Sequence, residues 1–229
     1  MSVLNRIAHF QNRRDEVPNQ ELARDLAAQK DAAGIREIAE SLWSNPQVDK
    51  NVRADCIKVL YEIGYIEPSL VAEYVEDFIK LLKSNNPSTR LRRERSDERS
   101  GQANRLVWGG MIALGTVAQL KADVVYAHLA EIQRAMDAGS VITMDNGVLA
   151  LARAASQGEQ YNQAIFPYLL DHLKTCRPKD VAQHAEKTLP AVKAANKAEF
   201  ISTLEKRMAD LSGSGLARVK KVIKEADKR

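Results

Sequence analysis

The sequence predicts an all-α chain whose helices pair and stack into a short right-handed α–α superhelix, a single domain over residues 1–229. Three observations lead there. Leu60, Leu114, Leu151 and Leu189 hold one place in four similar helical segments, with Ile63, Val117, Ala154 and Val192 as their apolar companions. A second segment follows in step: Val75, Phe78 and Leu82 align with Leu129, Ile132 and Met136, then with Phe166, Leu169 and Leu173, and Ile201, Leu204, Met208 and Leu211 take the same role last. The composition agrees, with 45% hydrophobic but only 5% aromatic residues. That balance suits helices packed through aliphatic side chains, and no sustained alternation of period two marks a strand.

The first-helix leucines stand 54, 37 and 38 residues apart. A helix pair every ~40 residues is the period of stacked helical arrays, in which a pair has too little apolar area alone and buries it against its neighbours. The long interval exceeds the others by 16 residues, the length of segment 88–103, STRLRRERSDERSGQA, which is almost devoid of apolar side chains. It is therefore expected to be an inserted, flexible, arginine-rich loop, because such a composition buries too little surface to offset ordering. Arg90, Arg92, Arg93, Arg95 and Arg99 make it either a recognition arm for phosphate or acidic surfaces or a solvated turn. Arg93-Glu94-Arg95-Ser96 also fits a basophilic phosphorylation site.

Taken in order, residues 1–10 suit a short capping helix with Val3, Leu4 and Ile7 on one side. Pro18 belongs in the first turn of a helix over 19–30, where its missing N–H costs nothing, and a helix over 31–43 completes a degenerate first pair. Residues 52–85 hold the clearest pair, turning at 64–68. Helices follow over 104–120, 123–137, 142–155, 160–176 and 179–195. Gly109 and Gly110 lie inside one of them and predict close approach of a neighbouring helix, with Trp108 covering the gap; a ligand pocket at Trp108 is the alternative. Pro167 marks a first turn or a kink, and Pro190 a bend. Ser212-Gly213-Ser214-Gly215 reads as a break, and residues 216–229 as a basic capping helix with Leu216, Val219, Val222 and Ile223 on one face.

Asp49, Val52, Arg53, Leu60 and Ile63, after a short polar turn with a proline, resemble the HEAT-repeat consensus. Val107, Met144 and Ala182 stand where the later copies of Arg53 fall. The resemblance, to HEAT and armadillo arrays, implies a structural role for the Asp and Arg and a concave surface lined by second helices. On those helices Glu73, Asp77, Glu131, Arg134, Tyr168 and Asp171 point between the core stripes, and their mixed charge suits a protein or peptide partner.

The net charge of +4 lies in two accessory pieces, +4 on residues 216–229 and +2 on 88–103, leaving −2 for the rest. Nucleic-acid binders usually carry a basic stripe on the folded face. A HEAT-like class of DNA alkylbase glycosylases, similar in size and helical content, supplies the rival reading of a nucleic-acid-associated protein. No phosphate-cradling glycine motif, HExxH, GxSxG or paired CxxC occurs, so a non-enzymatic scaffold is expected, with no cofactor. His172 and Cys176, four residues apart on one helix, suit a soft metal, but two ligands are too few and no metal site is expected. His9, His128 and His184 stand without evident companions. Cys56 and Cys176 fall in different helix pairs, which disfavours a disulfide and suits a reducing compartment. With no apolar run of spanning length and no signal-like N-terminus, a cytoplasmic setting is expected.

Overall fold

The computed structural model describes residues 2–43, 50–83 and 97–229, with side chains from 105 onward in the last stretch. These residues are all-helical and contain no strand. The α-helices are α1 (Val17–Gln29), α2 (Ala32–Glu40), α3 (Lys50–Ile66), α4 (Val75–Leu82), α5 (Asp97–Val117), α6 (Ala122–Ala127), α7 (Leu129–Asp137), α8 (Val141–Ala155), α9 (Glu159–Thr175), α10 (Pro178–Thr188), α11 (Lys197–Arg207) and α12 (Gly213–Asp227). Among the described residues no helix is long and apolar enough to cross a membrane.

Local chemistry sets many of the boundaries. Pro18 occupies the first turn of α1, and Asp15 accepts a hydrogen bond from the Val17 N–H at 3.1 Å. The helix ends at Lys30 in the left-handed conformation, and Asp31 then caps α2 by accepting from Gly34 N–H at 3.0 Å. Ser140 caps α8 through the Thr143 N–H, and Pro178 opens α10. Each capping side chain satisfies a helix-terminal donor that has no partner within the helix.

Alternate helices pack on one another. One row runs α1, α3, α5, α8, α10, α12, each against the next; in the other, α4 meets α7, and α9 meets both α6 and α11. Buried apolar side chains join the rows in one cluster from Ile7 to Ala226. Leu60, Leu114 and Leu151 are fully buried, as are Ile63, Val117, Ala154, Phe78, Ile132, Leu169 and Leu204, whereas Leu189 is partly buried.

The glycine pair in α5 has the steric setting its sequence implies. A Cβ on Gly109 would lie 2.9 Å from Ile57 Cγ2 of α3, and one on Gly110 would lie 2.9 Å from Leu81 Cβ and from the Phe78 carbonyl oxygen of α4. Helix α5 is wedged between both neighbours through these two bare backbone positions. Half-buried Trp108 sits beside Tyr61 of α3, ring centroids 6.5 Å apart.

Several boundaries differ from the sequence expectation. The N-terminal cap is a 3-10 turn, Val3–Arg6. Of the supposed inserted loop, residues 97–103 form the first turns of α5, because helical hydrogen bonding propagates from the packed part of that helix into polar sequence; residues 88–96 lie outside the described residues. The helix expected over 123–137 breaks at His128 (φ −107°, ψ 17°). The break lets α6 face α8 and α9 while α7 faces α4 and α8. Pro167 sits in the middle of a continuous α9 rather than in its first turn. Helix α10 stops at Thr188 and a 3-10 turn, Leu189–Ala191, carries Pro190, whose ring nitrogen has no hydrogen to continue the α pattern. The break at 212–215 shrinks to Ser212, since Gly213 takes φ +52° and starts α12. The expected capping helix docks through Val219, Val222 and Ala226 against α10 and α11.

Candidate functional site

The six candidate partner-binding residues fall on α4, α7, α9 and the turn before α4. Glu73 is exposed in the 3-10 turn Ala72–Tyr74, and Asp77 of α4 pairs with Lys80 at 2.9 Å. Glu131 of α7 meets Lys83, just past the end of α4, at 3.3 Å and His128 at 3.4 Å, while His128 reaches Glu76 of α4 at 3.2 Å. Although its partial burial opposes charge, Lys83 first and the His128 ring beside it hold the Glu131 carboxyl below its usual range. Arg134 is exposed and donates Nε–H to the Ala130 carbonyl of its own helix. Tyr168 of α9 donates its hydroxyl to Asp137 of α7 at 2.8 Å; burial, reinforced by that carboxylate, pushes the phenol pKa up. Asp171 pairs with Lys174 at 2.9 Å, and Lys174 extends to Glu199 of α11 at 3.6 Å. The structure thus engages Glu131 and Tyr168 in links between neighbouring helices, and leaves Glu73, Arg134 and Asp171 exposed. Of the loop arginines, Arg99 lies in the first turn of α5, while Arg90, Arg92, Arg93 and Arg95 lie outside the described residues.

The surface also carries two depressions. Trp43, 41% exposed, has the Arg53 guanidinium 5.4 Å and the Lys80 ammonium 5.9 Å from its ring, beside a shallow depression of about 360 Å3 lined also by Arg36, Tyr74 and Asp77. Arg53 thus makes a cation–π contact with Trp43; Asp49, which the HEAT resemblance pairs with it in a structural role, lies outside the described residues. A larger cavity of about 790 Å3 near the N-terminus is lined by Phe10, Arg13, Arg14, Asp55 and Arg105. Its charge is mixed, and Arg13 is tied to Asp15 at 2.9 Å.

The strongest chemical juxtaposition joins residues that are dispersed in sequence. His172 projects from the last turn of α9 and Cys176 stands just past its end, and the turn into α10 brings His184 beside them. His172 Nε2 and His184 Nδ1 lie 2.8 Å apart, and His184 Nε2 lies 2.7 Å from Asp145 Oδ1 of α8. The ligating atoms of His172, Cys176 and His184 are all within 4.8 Å of one another. Against the Asp145 carboxylate, His184 carries its proton on Nε2, so its Nδ1 accepts from His172 Nε2–H. Gln183 donates to the other Asp145 oxygen at 3.3 Å, and Lys187 donates to the Asp145 carbonyl at 2.8 Å. His184 is almost fully buried, whereas His172 and Cys176 are half-buried. Burial, with His184 alongside, pushes the His172 imidazole pKa down to about 4, and burial pushes the Cys176 thiol up. Arg207 of α11 donates to the carbonyls of Leu173 and Cys176, both at 2.7 Å, and holds the end of α9 in place.

Sequence reasoning found the His172–Cys176 pair but left His184 apart and did not single out Asp145. The spacing His-x3-Cys-x7-His was the available signal, since a tight turn between two helices brings such positions face to face.

No protein-family model matches the chain, and comparison with curated proteins and with solved structures finds no similar protein.

Proposed function

We propose that the chain is a short right-handed superhelix of HEAT-like helix pairs that acts as a non-enzymatic scaffold, holding another protein or peptide on the face formed by α4, α7 and α9. The observation that carries this reading is the continuity of that row. Its helices are linked by Lys83–Glu131, Glu76–His128 and Tyr168–Asp137, so the outward residues sit on one supported surface. Stacked helical arrays characteristically use such extended surfaces for binding. Exposed Trp43, with Arg36 and Tyr74 near it, adds residue types enriched among those that dominate binding energy at protein interfaces. A cytoplasmic setting goes with this proposal.

A photo-crosslinking residue placed at Glu73, Arg134 or Asp171, and for comparison at exposed Arg24 on α1, tests the reading in cells. One protein captured from the first three positions and not from Arg24 is the expected result. Equal capture from Arg24, or capture of nucleic acid alone, refutes it.

A further inference from the structure

We propose that His172, Cys176 and His184 form a binding site for a soft divalent transition-metal ion, zinc by ligand chemistry, with Asp145 orienting His184 from behind. Imidazole and thiolate together select zinc over calcium or magnesium, which prefer oxygen. Tetrahedral zinc, with bonds of about 2.0–2.1 Å to nitrogen and about 2.3 Å to sulfur, places its ligand atoms about 3.3–3.6 Å from one another. The two ring nitrogens, 2.8 Å apart, need to separate by only roughly half an ångström to reach that spacing. The largest separation within the cluster, at most 4.8 Å, must close by roughly 1 Å. Rotation of the half-buried Cys176 side chain can supply this movement while Arg207 keeps the backbone of that residue in place.

The surroundings are those of a ligand set rather than of a chance contact. Metal-bound histidines almost always donate their other N–H to a carboxylate, carbonyl or water, which fixes the ring and its tautomer. Asp145 meets that requirement for His184 and leaves Nδ1 directed at His172. On binding, the ion takes the place of the proton between the rings; His172 carries its proton on Nδ1 instead, and the Cys176 thiol releases one proton to solvent. The thiolate and the Asp145 carboxylate together balance the charge of the dication. Three protein ligands leave a fourth position for water or an added group. Because the ligands and their orienting carboxylate come from α8, α9 and the first turns of α10, the ion pins three helices at one point.

The full chain, freed of metal with chelator, is titrated with cobalt(II) as a spectroscopic probe for zinc. One equivalent is expected to give tetrahedral d–d bands and a thiolate-to-cobalt charge-transfer band, both removed by added zinc. Cys176→Ser is expected to abolish the charge-transfer band, and Asp145→Asn to weaken affinity about 10–100-fold at unchanged stoichiometry. Zinc is expected to raise the thermal midpoint of the parent chain and not that of Cys176→Ser. If the folded parent takes up no cobalt, or if Cys176→Ser retains the same band and affinity, the proposal is overturned and the cluster is a hydrogen-bonded relay alone. Because Cys176 stands at the half-exposed end of the cluster, Cys176→Ser is expected to keep the fold and so decides the matter.

Discussion

Replacing Gly110 with alanine tests how closely α5 is wedged against α4. In an unobstructed helix interior this change stabilises by about 1 kcal/mol, because alanine loses less backbone freedom on folding. Here the new methyl would stand 2.9 Å from Leu81 Cβ and from the Phe78 carbonyl oxygen, inside the ordinary carbon contact distance of about 3.5–4.0 Å. Neither atom is the free end of a flexible side chain, so α4 itself must move, and overpacking of this kind costs about 1–3 kcal/mol. Five residues on, Gly115 offers an internal control. A Cβ there would meet nothing closer than the Asn146 carbonyl at 3.6 Å, so Gly115→Ala keeps the full propensity gain. The two variants are therefore expected to differ by about 1–3 kcal/mol, with Gly110→Ala the less stable. For a chain of 229 residues each kcal/mol corresponds to about 2–4 °C in thermal midpoint. Urea unfolding followed by far-ultraviolet circular dichroism reads the difference as a shift in midpoint at constant slope. Gly110→Ala found as stable as Gly115→Ala would refute the close approach of α4 and α5.

Three further outcomes are expected. Asp55 accepts from the His9 N–H at 2.8 Å and from Asn19 Nδ2 at 2.9 Å, so Asp55→Ala should cost about 1–3 kcal/mol and speed amide exchange at His9; unchanged exchange there would refute its anchoring role. Lys58 is nearly buried, and although burial opposes its charge, Glu16 at 2.8 Å and Glu62 at 2.5 Å hold its ammonium pKa above the ordinary value. A raised folded-state pKa gives stability that is complete below the unfolded value of 10.5 and is lost as pH rises through the folded value; the stability gap between the parent and Lys58→Met should hold from neutral pH to about 10 and narrow in stronger alkali, and a gap that widens would contradict the pairing. Arg218 makes a two-pronged contact with Glu186 at 2.8 and 2.6 Å, but both side chains are well exposed, so Arg218→Ala should cost no more than about 1 kcal/mol while hastening exchange along α12; a larger loss would show that docking of α12 depends on charge rather than on Val219, Val222 and Ala226.

What the sequence by itself determined was the helical character of the chain and the identity of its buried stripes. Leu60 with Ile63, Leu114 with Val117 and Leu151 with Ala154 are all fully buried. Apolar spacing near 3.6 residues specifies which side of a helix avoids water, whatever lies against it. Gly109 and Gly110 were legible for a similar reason, since two adjacent glycines in a helix are unfavourable unless bare backbone is needed for a neighbour. Periodicity says nothing about which helix that neighbour is. Only the tertiary structure separated α6 from α7 at His128, carried α5 back through Asp97, and assigned Tyr168 to Asp137 and Glu131 to Lys83. The same limit hid most of the histidine–cysteine cluster. His172 and Cys176 stand four residues apart, a helical spacing that let them be seen as a pair, but Asp145 and His184 reach them through two interhelical turns and the packing of α8 against α9 and α10. Such contacts are fixed by the directions in which turns return the chain and by the depth to which helices pack, and neither is written in the spacing of residues along one helix.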